Sequence, residues 1–198
     1  MNRHLTDTSA GYDALADEFI RRRNPTIGVA TVRQWSQHLS PGGSVLDLGC
    51  GNGVPISQTL IAEAFKVYGI DAAPSMVEAF RARHAEAIVA CEPAEDSDYF
   101  GLCFDGVVAW GLLFLLEKHK QLQIIERVAS VLAPGGRFLF TSPKQACTWT
   151  DALTGRPSIS LGAEAYRSAL AEAGLVLVGQ YEDEGGNHYF DAAKPSDH

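Results

Sequence analysis

Residues 45–55 read VLDLGCGNGVP. A short aliphatic run meets Asp47, and Gly49, Gly51 and Gly53 then alternate with other residues. A glycine turn between a strand and a helix lets the backbone come close to a nucleotide. The dinucleotide fingerprint G-x-G-x-x-G needs its third glycine at position 54, which is Val54; the stretch is G-x-G-x-G. A pyrophosphate wants bare amides at a helix N-terminus and no anion nearby. Asp47, two residues before the first glycine, opposes that and suits a ligand with a positive charge. S-adenosylmethionine has a sulfonium, an ammonium and no phosphate. Asp71, twenty residues after Gly51, ends a second apolar run and can accept both hydroxyls of a ribose. That ribose is common to NAD and S-adenosylmethionine, and the same position also suits a helix cap or turn acid.

Other reactive side chains are sparse. His119 and His188 are the best-placed bases by chain position, and both positions equally suit surface or strand-end histidines. Cys50, Cys91, Cys103 and Cys147 form no CxxC pair, so neither a zinc site nor a disulfide framework is expected. No metal is expected, and reduced thiols fit a cytoplasmic location. The N-terminus, MNRHLTDTSAGYD, has no apolar stretch of the signal-peptide kind. No apolar run approaches the ~20 residues that span a bilayer. The net charge of −8 disfavours nucleic acid and anionic membranes as partners. The one basic run, Arg21–Arg22–Arg23, reads as a solvated helix face.

These residues need elements to hold them. With 198 residues and 46% hydrophobic content, the chain can bury a core as one domain, 1–198. Leu15, Ala16, Phe19 and Ile20 predict a helix over 12–22. Ile27, Ala30 or Thr31, and Trp35 predict another over 26–39, so 1–40 reads as a helical cap. Strands are expected at 44–48, 66–71, 87–91, 104–110 and 137–142, with helices at 55–65, 74–84 and 118–132 between them. This alternation predicts a doubly wound, mostly parallel α/β sheet with helices on both faces. A helix over 162–173 follows, with Gly174 at its C-terminal cap. Strands at 175–181 and 188–193, joined by the turn-rich 182–187, must pair antiparallel. Residues 143–160 show little periodicity and read as a lid or substrate loop.

VLDLGCGNG, YGIDAAPSMV, FDGVVAWGLLFLL and LAPGGRFLF, with the closing hairpin, resemble the motifs of class I, seven-stranded S-adenosylmethionine-dependent methyltransferases. The resemblance runs from about Gly11 to Lys194 and implies a Rossmann-like core over 44–194. It implies that Asp47, Gly49, Gly51 and Gly53 hold the methionyl part, with the Cys50 backbone touching ligand. It gives Asp71 the ribose, and Ala72 and Met76 the adenine face, although Met76 also fits plain core. Pro93 occupies or borders the acid position of the family's adenine-reading run. The Ala94 backbone and the side chain of Glu95 or Asp96 are then expected at the adenine edge. The backbone around Ala109 and Trp110 is expected to meet the methionine end, the Trp110 ring either walling the acceptor pocket or filling core.

Methyl transfer is an in-line displacement, so alignment and water exclusion suffice unless the acceptor must lose a proton. The motifs that the resemblance associates with nucleic-acid amines, cytosine C5 and arginine acceptors are missing, which leaves a small molecule. Its expected walls are Tyr12 and Phe19 from the N-terminal helices and Trp149, Asp151 and Arg156 from 143–160. The oligomeric state, monomer or homodimer, is not legible. A non-catalytic protein binding S-adenosylmethionine or S-adenosylhomocysteine, or serving as an assembly module, is the alternative. A nicotinamide oxidoreductase is disfavoured by Val54, Asp47 and the terminal hairpin.

Overall fold

The computed structural model describes residues 7–196. The first six residues of the N-terminal segment read above lie outside the described residues. Five strands lie parallel: β1 (Ser44–Leu48), β2 (Lys66–Asp71), β3 (Ile88–Cys91), β4 (Phe104–Ala109) and β5 (Leu132–Thr141). β1 pairs with β2 on one side and with β4 on the other. The chain therefore winds outward from β1 to β3, returns, and winds the other way through β4 and β5. A crevice opens at the carboxyl ends of strands on either side of such a reversal.

The sequence alternates faces along each strand, and the core follows. Leu46, Leu48, Phe138 and Phe140 point to one layer, with Ile124, Ile125 and Val128 of α5 (Lys118–Val131) and Tyr166 and Leu170 of α6 (Ala163–Glu172). Val45, Val108 and Leu139 point to the other, with Val32 and Trp35 of α2 (Val29–Ser36) and Ile56 and Leu60 of α3 (Ile56–Ala62). α4 (Pro74–Arg83) follows β2 and starts with proline in its first turn. The sheet ends as expected. β9 (His188–Ala193) inserts antiparallel between β5 and β8 (Val176–Glu182), giving the order β3-β2-β1-β4-β5-β9-β8.

Three expectations change. Residues 143–160 are not aperiodic: β6 (Cys147–Thr150) and β7 (Pro157–Ser160) form an antiparallel hairpin. Strands of four residues leave too little alternation to read, and Pro157 is tolerated because it opens its strand. The APGG segment lies inside β5, whose pairing to β4 shifts between Phe104–Leu132 and Gly106–Arg137. Gly135 and Gly136 continue the ladder there through backbone bonds with Lys194. The N-terminal helices are shorter than expected. A 3₁₀ turn at Asp13–Leu15 precedes α1 (Ala16–Arg22), Ala30 is exposed, and Val32 is the residue buried beside Trp35.

Candidate donor and acceptor site

The glycine loop leaves β1 at Leu48 and folds back over the end of β2. Gly49 takes φ 69°, and a Cβ there would come within 3.1 Å of Leu112. Gly53 takes φ 82°, and a Cβ would come within 2.6 Å of the His84 ring. Both positions therefore demand glycine for conformation and for space. The loop's amides are already engaged. Gly49 and Cys50 donate to the Ile70 carbonyl, Gly51 to Asp71 Oδ2, Gly53 to the Cys50 carbonyl and Val54 to Asn52 Oδ1. A pyrophosphate-binding loop needs such donors free.

Asp71 ends β2 and organises two turns at once. Its Oδ2 accepts Gly51 N–H at 2.8 Å and its Oδ1 accepts Ala73 N–H at 2.9 Å. Burial raises its pKa, opposed by those two bonds. Each oxygen keeps the capacity to accept a second donor, and the residue lines a cavity over the loop. The turn-acid and ligand readings are thus compatible in one side chain.

Asp47 is fully buried beneath the loop and accepts the Ser57 hydroxyl of α3 at 2.6 Å. Burial pushes its pKa up to about 7, with the Ser57 bond and Arg23 opposing and Asp71 adding to the rise. It lies behind the cavity wall and acts on the cavity only through its charge.

A cavity of about 220 Å³ opens over the loop at the crevice. Gly49, Cys50 and Gly51 form one side, with Asp71, Ala72 and Met76 beyond. Ala94 and Glu95 close one end, and Trp110 lies at the other. Tyr12 and Phe19 from the N-terminal segment and Asp151 from the β6–β7 turn complete it. The structure therefore gathers most of the residues singled out in the sequence. Of the two adenine-edge acids, Glu95 lines the cavity, where its Oε1 already accepts Lys120 Nζ at 2.6 Å; Asp96 is exposed.

Several others stand apart. Gly53 and Ala109 shape the loop and strand without lining the cavity. Trp149 lies behind the wall, its ring 5.3 Å from that of Phe114, which does line it. Arg156 donates to Asp7 Oδ2 at 2.6 Å and ties the β6–β7 hairpin to the N-terminal segment. Neither His119 nor His188 lines the cavity. His119 is an exposed neighbour of Glu117, and His188 meets Gln180 across the β8–β9 pair. Chain position alone did not show that these contacts leave both side chains out of the cavity lining.

Sequence reading missed Arg23. The chain leaves α1 at this residue with φ −61° and ψ 121°, which turns it inward while Arg21 and Arg22 stay exposed. Its guanidinium sits 3.8 Å from the centre of the Trp110 ring and 4.9 Å from that of Phe19. Burial lowers its pKa to about 10, opposed by Asp47. A helix-end residue inside a basic run is its only sequence signal. Asn187 was also missed; it lines the cavity while its Nδ2 donates to Asp183. Asp183 in turn accepts the Tyr189 hydroxyl at 2.7 Å, and that hydroxyl accepts Trp110 Nε1 at 2.6 Å.

Residues 45–136, which span the loop, Asp71 and the Trp110 wall, match the family model described as "Methyltransferase domain". Over that stretch the chain is similar to methyltransferase domains. The chain is 31% identical over 166 residues to a ubiquinone biosynthesis O-methyltransferase of Xanthomonas campestris, covering 79% of the chain and 59% of that relative. It is 31% identical over 113 residues to a probable tRNA methyltransferase 9B of Mus musculus, covering 54% of the chain. The chain spans only 23% of that mouse protein's length. The fold matches that of CalS10, an amino pentose methyltransferase from Micromonospora echinaspora solved with S-adenosylmethionine bound. That match has a TM-score of 0.72 at 19% identity over 91% of this chain and 96% of the other. Among the described residues, no helix is long and apolar enough to cross a membrane.

Proposed function

We propose that the chain transfers a methyl group from S-adenosylmethionine to a small-molecule acceptor. The observation that carries this reading is the glycine loop with its amides bonded internally beside an available Asp71 carboxylate. Such a loop offers a ribose an acceptor and offers a pyrophosphate almost nothing. When bound, S-adenosylmethionine supplies a methyl carbon activated by the adjoining sulfonium. The chain's own residues supply the rest. Asp71 holds the ribose hydroxyls, Ala72 and Met76 cover the adenine face, and the Ala94–Glu95 segment meets its edge. Arg23, stacked on Trp110, is placed to hold the methionyl carboxylate. Asp47 supplies negative charge behind the loop, suited to the ammonium and sulfonium.

Residues 7–40 serve as a cap and 143–160 as the acceptor-side element within one domain. Tyr12 and Phe19 close over the cavity from the cap. The bonds Tyr12–Asp151 and Arg156–Asp7 join the two elements. Incubation with methyl-labelled S-adenosylmethionine and fractionated small metabolites tests the proposal. Label entering a low-molecular-weight product supports it; label entering none, with the donor bound, leaves a binding protein.

A further inference from the structure

A second cleft of about 420 Å³ adjoins the donor cavity. Tyr12, Phe19, Arg23, Trp110, Asp151 and Asn187 line both spaces. Four of these build the common wall as a stack. The Tyr12 ring meets the Phe19 ring edge-on at 5.5 Å, Phe19 lies 4.9 Å from the Arg23 guanidinium, and Arg23 lies 3.8 Å from Trp110. Ile27 and Leu153 add apolar surface on the far side. A ring compound fits such walls through aromatic contact.

Asp151 is the polar group best prepared to meet it. Its Oδ1 accepts Leu153 N–H at 3.1 Å, Thr154 N–H at 2.7 Å and the Thr154 hydroxyl at 2.8 Å, which fix the carboxylate plane. Its Oδ2 has one protein partner, the Tyr12 hydroxyl, at a long 3.2 Å. That oxygen keeps room for a further donor.

The surrounding charges narrow the partner. Arg22 is paired with Glu18 at 2.5 Å, and Arg23 is committed to the Trp110 stack and, in the reading above, to the donor's carboxylate. Asp151 is then the cleft's remaining charge, which opposes an anionic acceptor. Among the described residues, no histidine or lysine lines either space. Burial raises the Asp151 pKa, but the bonds from Thr154, Leu153 and Tyr12 outweigh it and leave it below the usual carboxylate range. So weak a base does not strip an alkylammonium. It can receive the hydrogen of a neutral hydroxyl as that oxygen becomes more acidic during transfer.

We propose that this cleft binds the methyl acceptor, a neutral ring-bearing hydroxyl compound, and that Asp151 Oδ2 accepts its hydroxyl hydrogen. The inference rests on the donor reading above. An oxygen lone pair forms the new bond to the methyl carbon while the carbon–sulfur bond breaks and its electron pair remains on sulfur. The hydroxyl proton passes to Asp151 Oδ2 and from there to water.

Saturation-transfer NMR on the full chain, with saturating S-adenosylhomocysteine and phenol or benzoate as probes, tests this. Phenol should bind at least about tenfold more tightly than benzoate. Asp151→Asn keeps an oxygen for the Leu153 and Thr154 donors and places an NH₂ where Oδ2 stood. It should weaken phenol and strengthen benzoate, inverting their order. Tyr12→Phe frees Oδ2 from its internal donor and should hold or tighten phenol. An unchanged phenol-to-benzoate ratio in Asp151→Asn overturns the proposal. So does Tyr12→Phe weakening phenol as much as Asp151→Asn does, or no probe binding while S-adenosylhomocysteine binds. Failure of S-adenosylhomocysteine itself to bind the wild type overturns the donor reading, and this inference with it.

Discussion

Arg23 lies 3.8 Å above the Trp110 ring and donates from Nε to the Val54 carbonyl at 3.2 Å. One residue thus joins the end of α1, the wall after β4 and the glycine loop. It is held before any ligand arrives, and preorganisation of this kind lowers the ordering cost of binding.

The Arg23 assignment predicts a selective loss. Arg23→Gln should weaken S-adenosylhomocysteine by about tenfold or more, the worth of a charge-assisted bond. Binding of 5′-methylthioadenosine, which lacks the amino-acid tail, should hardly change. Equal losses for the two ligands in calorimetry would give Arg23 an architectural role only.

The Asp47 assignment predicts donor binding that depends on pH. Its folded pKa of about 7 lies above the ordinary value of 3.8, so the empty protein holds an extra proton between those values. Its contribution to stability is present below the lower value and is lost as pH rises through the upper one. Asp47→Asn, which keeps an oxygen for the Ser57 hydroxyl, should therefore raise the melting temperature at pH 8 and change it less at pH 5. A cationic donor prefers the ionised form, so wild-type affinity for S-adenosylmethionine should rise from pH 6 to pH 8. That rise should flatten in Asp47→Asn; a variant as steep as the wild type would acquit Asp47.

Asp71→Ala should show two losses. The Gly51 and Ala73 amides lose their acceptor, which costs on the order of 1–3 kcal/mol where such groups are buried. Nucleoside binding should fall for S-adenosylhomocysteine and adenosine alike, because both carry the ribose. Urea titration reads the first loss and calorimetry the second. Retained adenosine affinity would reject the ribose assignment.

Tyr189→Phe removes one oxygen from the Trp110–Tyr189–Asp183 chain. Trp110 Nε1 loses its acceptor and Asp183 Oδ2 loses that donor in the interior, so stability should fall by about 1–3 kcal/mol. Indole fluorescence should report a freer Trp110. Unchanged stability would show that water or a local shift satisfies both groups.

Much of this frame was legible in the sequence, for identifiable reasons. The strands at 44–48, 66–71 and 188–193 agree with observation to the residue, because each is a compact run bounded by turn chemistry. The closing hairpin followed from a turn too short for a parallel crossover. Glu95 and Asp96 could not be separated, since burial against Lys120 of α5 depends on tertiary packing. The β6–β7 hairpin was hidden for a similar reason. It is seated by a buried polar network in which Gln121 Nε2 donates to the Ile159 carbonyl and Tyr166 donates to Gln121. Arg23 was hidden by its neighbours, because a run of three arginines does not reveal which one the helix end turns inward.

The central claim is that the loop holds a methyl donor and not a dinucleotide. Calorimetry of the folded chain with S-adenosylmethionine, S-adenosylhomocysteine and NAD measures this directly. Saturable heat is expected with both sulfur ligands and none with NAD at comparable concentration. Heat with NAD alone, or with none of the three, would contradict it.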